Sequence, residues 1–214
     1  MKKYGFLALI FVLALLAGFL SGCESTADKV EALSGTWTLV AQDSRDQAVS
    51  LLENIEAYEE EIALADLESL YYVQTAVFTQ DLAYSFGYDA EATRQCVYEF
   101  YDGYFAALYA GRTSLNASYD YSFDELSQEE FLQFYADLYG YATYEELLVS
   151  ITDKAYNYDS LAEPWETGTY TIKGDDIMCT ITGADYAESL GYQIEGNRLT
   201  LTFSNLVEVY TKSN

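Results

Sequence analysis

The sequence predicts an α+β protein: a small antiparallel sheet or partial barrel of about six strands, interrupted by an inserted segment of four helices. Three observations predict it. Residues 35–41 alternate apolar and polar, as a strand with one buried face does. Five more short alternating stretches fill residues 168–212, with turn residues between them. In the intervening stretch of about 120 residues the spacing changes to apolar positions every three or four residues, with capping residues in front and glycines behind. A lone strand cannot bury its tryptophan face, and a meander leaves open edges. Pairing the two pieces solves both problems, with a β domain at 34–43 plus 166–214 and a helical domain at 44–165.

The chain begins with Lys2 and Lys3, then a run over residues 6–20 that is apolar but for Gly18. A positive start, an apolar stretch and small residues at a cut site make a secretory signal. A spanning helix needs about 18–20 apolar residues, so this run is short for one. The cut site, Leu20-Ser21-Gly22-Cys23, resembles the lipobox of bacterial lipoproteins. That resemblance implies removal of residues 1–22, diacylation of the Cys23 sulfur and an extracytoplasmic place on the cell membrane. Two acyl chains, at about 0.8 kcal/mol per buried methylene, hold a protein where one does not. Residues 23–33 then form the lipidated tether, of which 24–29 reads as solvated.

In the first strand Trp37, Leu39 and Ala41 share a face. Ser44-Arg45-Asp46-Gln47 has the form of a capping box. No Gly or Pro interrupts the chain from there to Phe86, and Leu52, Ile55, Ile62, Ala65, Val73 and Val77 recur at three- and four-residue spacing. The spacing predicts one long helix over 45–85, ended by Gly87. Asp89 caps a helix over 90–110, which Gly111 ends, and 112–126 reads as a loop. Ser127 with Glu130, and Thr143 with Glu146, form two full capping boxes, which open helices ending at Gly140 and near Tyr156. Phe78, Gln80, Ala83, Gly87 and Tyr88 recur 53 residues later as Phe131, Gln133, Ala136, Gly140 and Tyr141, the form of a duplicated helical hairpin. This helix–Gly-Tyr–helix pattern is similar to the helical arms of exported folding helpers of the trigger-factor type, which makes a chaperone-like role the alternative function.

The only proline, Pro164, returns the chain to strands. Residues 168–173, 177–182, 190–194, 199–203 and 206–212 alternate, with turns at Gly174-Asp175-Asp176, Gly196-Asn197 and Ser204-Asn205. Gly35-x-Trp37, with Gly-x-Tyr-x-Ile-x-Gly-Asp-x-Ile and Ile-x-Gly-Asn-x-Leu-x-Leu near the end, resembles lipocalins and the lipocalin-like domains of bacterial lipoproteins. The resemblance covers about 55 residues in two pieces and leaves out 44–165. It implies that Trp37 closes the base of the barrel under a basic side chain from the last strands, Lys212 first and Arg198 second. It also implies a ligand inside the barrel. Eight strands are wide enough for that; with six, a pocket is expected instead where the Tyr-rich helices meet the sheet mouth. Trp37, Tyr101, Tyr104, Phe105, Phe134, Tyr135 and Tyr170 are its candidate lining, with packing in the core as their other role.

Composition narrows the function further. The chain carries 10 basic and 35 acidic residues, a net charge of −25. Without residues 1–22, which hold Lys2, Lys3 and no acid, the balance is 8 against 35, or −27. Such a surface argues against nucleic acid. No stretch fits a twelve-residue calcium loop. There is no histidine, which excludes His-based triads and His metal sites. Paired carboxylates remain as a catalytic option, but 35 acids make chance pairs unavoidable. The expectation is a non-catalytic, membrane-anchored binding protein without cofactor or metal, for a small apolar, sugar-like or peptide ligand. Cys96 and Cys179 are expected as packed free thiols, a disulfide between them being the alternative.

Overall fold

The computed structural model describes residues 25–57, 59–65, 67, 69–119, 121–204 and 206–213. The leader, the lipobox and Cys23 lie outside the described residues.

The chain opens with α1 (Thr26–Leu33), followed by β1 (Gly35–Gln42), α2 (Arg45–Asn54) and α3 (Glu59–Leu64). The hairpin β2 (Tyr71–Phe78) and β3 (Ala83–Tyr88) comes next. Helices α4 (Ala90–Ala110), α5 (Asn116–Tyr119), α6 (Gln128–Leu138), α7 (Tyr144–Ala155) and α8 (Tyr158–Leu161) follow, with a 3-10 turn at Arg112–Leu115. The chain then returns to β4 (Glu166–Lys173), β5 (Asp176–Ile181), β6 (Glu188–Glu195), β7 (Arg198–Phe203) and β8 (Leu206–Lys212).

The strands form one closed antiparallel barrel in sequence order, β8 returning to β1 through Trp37↔Lys212 and Thr38↔Thr211. The count is therefore eight and the barrel is closed, against an expectation of about six strands and a partial barrel. The two extra strands come from the stretch 45–85, which is not one helix. It holds α2, α3, β2 and the first half of β3, and Gly87 lies in β3 rather than ending a helix. The reason is burial on both sides of β2. Ala76 and Phe78 point into the barrel, while Val73, on the outer face, is buried where α4 lies against the strand. Apolar residues on both faces erase the alternation that marks a half-buried strand. The repeat beginning at Phe78 consequently starts in a β-hairpin and is not a duplicated helical hairpin.

Local chemistry sets the helix ends. The Ser25 hydroxyl accepts from the Asp28 N–H at 3.2 Å and the Asp28 carboxylate accepts from the Ser25 N–H at 3.0 Å. This capping box starts α1 in the stretch read as a solvated tether. Asp89 accepts from the Ala92 N–H at 2.9 Å and starts α4. Ser127 and Glu130 form the reciprocal box expected of α6. At α7 only half of the expected box forms: Thr143 accepts from the Glu146 N–H, while the Glu146 carboxylate accepts from the Ala142 N–H. Ser44 likewise caps α2 singly, because the Gln47 amide turns away to donate to the Tyr156 hydroxyl. The stretch read as a loop over 112–126 contains the 3-10 turn and α5.

Two cores result. In α4 the buried residues Thr93, Val97, Phe100, Tyr101, Tyr104, Phe105 and Leu108 fall at three- and four-residue spacing and pack on α2, α6 and α7. The inward faces of the strands fill the barrel with Trp37, Phe78, Tyr170, Ile177, Leu199 and Tyr210. The cores meet where α4 crosses β2: the Val73 N–H donates to Thr93 Oγ1 at 3.0 Å, and the Asp89 N–H to the Val73 carbonyl at 2.8 Å. Cys179 is buried and Cys96 half-buried, and both are free thiols.

Candidate functional site: a sealed base and an open mouth

Strand pairing fixes which side chains share the interior, because alternate residues face one side and paired residues face the same side. The register Leu39↔Gln74, Ala76↔Phe86, Phe86↔Glu166 and Cys179↔Glu188 places these residues inside the barrel. Leu201↔Glu208 and Leu199↔Tyr210 do the same for the last strands.

One end is sealed. Trp37 is wholly buried, and its indole N–H donates to the Leu33 carbonyl at 2.7 Å, which fixes α1 across the base. Lys212 lies with its ammonium 4.9 Å from the Trp37 ring centroid and donates to the Ala32 carbonyl at 3.3 Å. Of the two candidate cations it is Lys212 that covers the tryptophan. Gly35 is required here: its φ is +136°, and a Cβ would stand 2.9 Å from Lys212 Cε.

The other end is open. The loops at 43–70, 89–165 and 182–187 all leave or enter the barrel there. Below its rim is a cavity of about 300 Å³, at the small end of the range for small-molecule pockets. Phe86, Cys179, Leu190 and Phe203 form its wall, and Trp165 and Leu206 stand at its edge. Glu166, Glu188, Glu208 and Gln74 supply its polar groups. The Tyr84 hydroxyl donates to Glu166 Oε1 and the Tyr210 hydroxyl to Glu208 Oε2, each at 2.7 Å. Tyr84 and Tyr210 are pushed far above the usual tyrosine range, by burial first and then by these carboxylates. Cys179 is pushed up to about 12 by burial, then by Glu166 and Glu188, so its thiol stays protonated and is a poor nucleophile. Tyr88 packs on Trp165 at 4.7 Å between centroids and steadies the edge.

The seven aromatic residues expected as lining divide between the cores. Trp37 and Tyr170 lie in the barrel floor, while Tyr101, Tyr104, Phe105 and Tyr135 are buried among the helices. Phe134 is half-buried against Tyr119, Tyr121 and Phe123. None of the seven is among the residues lining the mouth cavity. The residues that do line it include three glutamates that sequence reasoning passed over. Their signal was present: Glu166, Glu188 and Glu208 each stand in phase with the inward residues of their strand. The helical core holds another such surprise, since Glu61 is 1% exposed and accepts hydrogen bonds from Tyr119 and Tyr135.

Among the described residues no three His, Cys, Asp or Glu side chains are grouped so as to hold a metal ion. No helix among them is long and apolar enough to cross a membrane. Compared with known proteins, the chain matches no family model, no curated protein and no solved structure. What stands is the architecture: an eight-stranded antiparallel barrel of lipocalin-like form, carrying a body of helices.

Proposed function

We propose that this is a membrane-anchored extracytoplasmic lipoprotein whose barrel binds a small, largely apolar ligand without chemistry. The observation that supports it most is the asymmetry of the barrel. One end is stoppered by Trp37, α1 and Lys212, and the other opens on an apolar-walled cavity of about 300 Å³. A cup of this kind removes apolar ligand surface from water at about 25 cal/mol per Å² and admits it from one side. The anchor rests on the lipobox resemblance at Cys23.

Two measurements test the reading. The full-length protein in lipid nanodiscs, with empty discs as blank, is titrated with N-phenyl-1-naphthylamine, which brightens in apolar surroundings. Saturable one-to-one binding is expected, lost in Cys179→Phe, which fills the cavity, with an unchanged circular dichroism spectrum. Absence of saturation, or binding indifferent to the filled cavity, overturns the binding role. Mass spectrometry of the native protein is expected to find residue 23 as the diacylated first residue. A bare Cys23 or an attached leader overturns the anchor.

A further inference from the structure

We propose that the mouth of the barrel selects an organic cation: an amine or quaternary ammonium group carried on a compact apolar body. The proposal rests on the reading of the barrel as a ligand cup and adds the charge of the ligand.

The cavity wall is mixed. Phe86, Cys179 and Leu190 line it together with Glu166, Glu188 and Glu208, Phe86 pairing directly with Glu166 and Cys179 with Glu188. Among the described residues no Lys or Arg lines it. The ion pairs among the described residues join Lys29 to Asp175 and Arg94 to Glu91 and Asp153, all away from the mouth. The three carboxylates thus face the cavity without a cation. Two of them are held in place from within the wall. Tyr84 occupies one oxygen of Glu166 and Tyr210 one oxygen of Glu208, and the second oxygen of each makes no hydrogen bond among the described residues.

A wholly apolar ligand would cover these carboxylates and return nothing for the water they lose. An anion would meet three like charges and a chain of net charge −25. A cation on an apolar body satisfies both the apolar and the acidic part of the wall, and Trp165 and Phe203 in the same lining are of the residue type that attracts ammonium groups. The carboxylates are not grouped closely enough to hold a metal ion, so the matching charge is a bulky, diffuse one.

The test compares benzyltrimethylammonium, benzyl alcohol and benzenesulfonate by calorimetry on the full-length protein in nanodiscs, with the change in tryptophan fluorescence, Trp165 being the exposed one of the two, as a second readout. The cation is expected to bind about tenfold or more tightly than the alcohol, the sulfonate not at all, and added salt to weaken the cation alone. The triple variant Glu166→Gln, Glu188→Gln, Glu208→Gln is expected to erase the preference and keep the alcohol. Should it fail to fold, Glu188→Gln, at an exposed position without a side-chain hydrogen bond among the described residues, is expected to lower the preference by itself. Equal affinity for cation and alcohol, or a preference that survives in the variants, overturns the inference and leaves the cup. Failure of all three compounds and of N-phenyl-1-naphthylamine overturns both.

Discussion

Lys212 covers the face of Trp37, with its ammonium 4.9 Å from the ring centroid and a hydrogen bond onward to the Ala32 carbonyl. One side chain from the last strand thereby binds the first strand and the helix ahead of it. Trp37→Ala removes the largest side chain at the base and is expected to cost about 3–5 kcal/mol. Lys212→Met keeps the apolar stem and loses the cation, for about 1 kcal/mol. Urea denaturation of both variants checks the order. Equal losses would show that the ammonium, with its ring and carbonyl contacts, matters to the base as much as the tryptophan itself.

Gly168 pairs with Ile181 across β4–β5 and lies so close to the neighbouring Thr180 carbonyl that there is no space for a side chain. An added Cβ would lie 2.1 Å from the Thr180 carbonyl oxygen and 2.7 Å from Tyr84 Cε1. Gly168→Ala is expected to lose stability at the upper end of the about 1–3 kcal/mol that overpacking costs, or more. Gly191 is the control: its nearest contact would be 3.4 Å, to Thr202 Cβ, and Gly191→Ala is expected to stay within about 0.5 kcal/mol. Thermal unfolding of the pair separates close approach from the general effect of losing a glycine.

The tyrosines predict an alkaline limit to stability. Tyr98 is pushed up to about 12, and Tyr104, Tyr135 and Tyr144 further, first by burial and then by the Glu145, Glu61 and Asp102 carboxylates beside them. In the unfolded chain they titrate near 10. Above that pH the folded state holds more protons than the unfolded one, so stability is full below about pH 10 and falls as the pH rises. The urea midpoint is expected to be flat from pH 8 to 9 and to drop beyond 10. The absorbance of ionised tyrosine should rise in step with loss of circular dichroism. All the tyrosines titrating together near pH 10 in a folded protein would contradict it.

Arg94 joins α4 to α7 through Asp153 at 2.7 Å, on a surface open to solvent. Arg94→Met is expected to cost less than about 1 kcal/mol, and the cost should vanish in 1 M salt. A larger or salt-insensitive loss would mean that the arginine stem packs between the helices.

The legible parts of the fold were those where one signal dominated. Gly35-x-Trp37, the turns at Gly174 and Gly196 and the inward rows of β4 to β8 all pointed to strands, and Asp89, Ser127 and Thr143 marked helix starts. The hairpin at 71–88 was hidden twice. Its strands are rich in Tyr, Val and Phe, a β signal, but burial on both faces mimicked helical spacing. Its turn carries no glycine, because Leu82 itself takes the positive φ, +66°. With two strands unseen the barrel could not close in the reasoning. The site stayed hidden with it, since Glu166, Glu188 and Glu208 share an interior only when the ring is complete. The aromatic residues that drew attention were instead those that fill two cores.

Helix α1 starts three residues after Cys23 and lies across the stoppered end of the barrel. An acyl group at that cysteine would press the floor of the cup toward the bilayer and turn its lip to the surroundings. Cargo would then arrive through water rather than be lifted out of the lipid, and the helical body beside the lip would be the first surface that an arriving molecule meets.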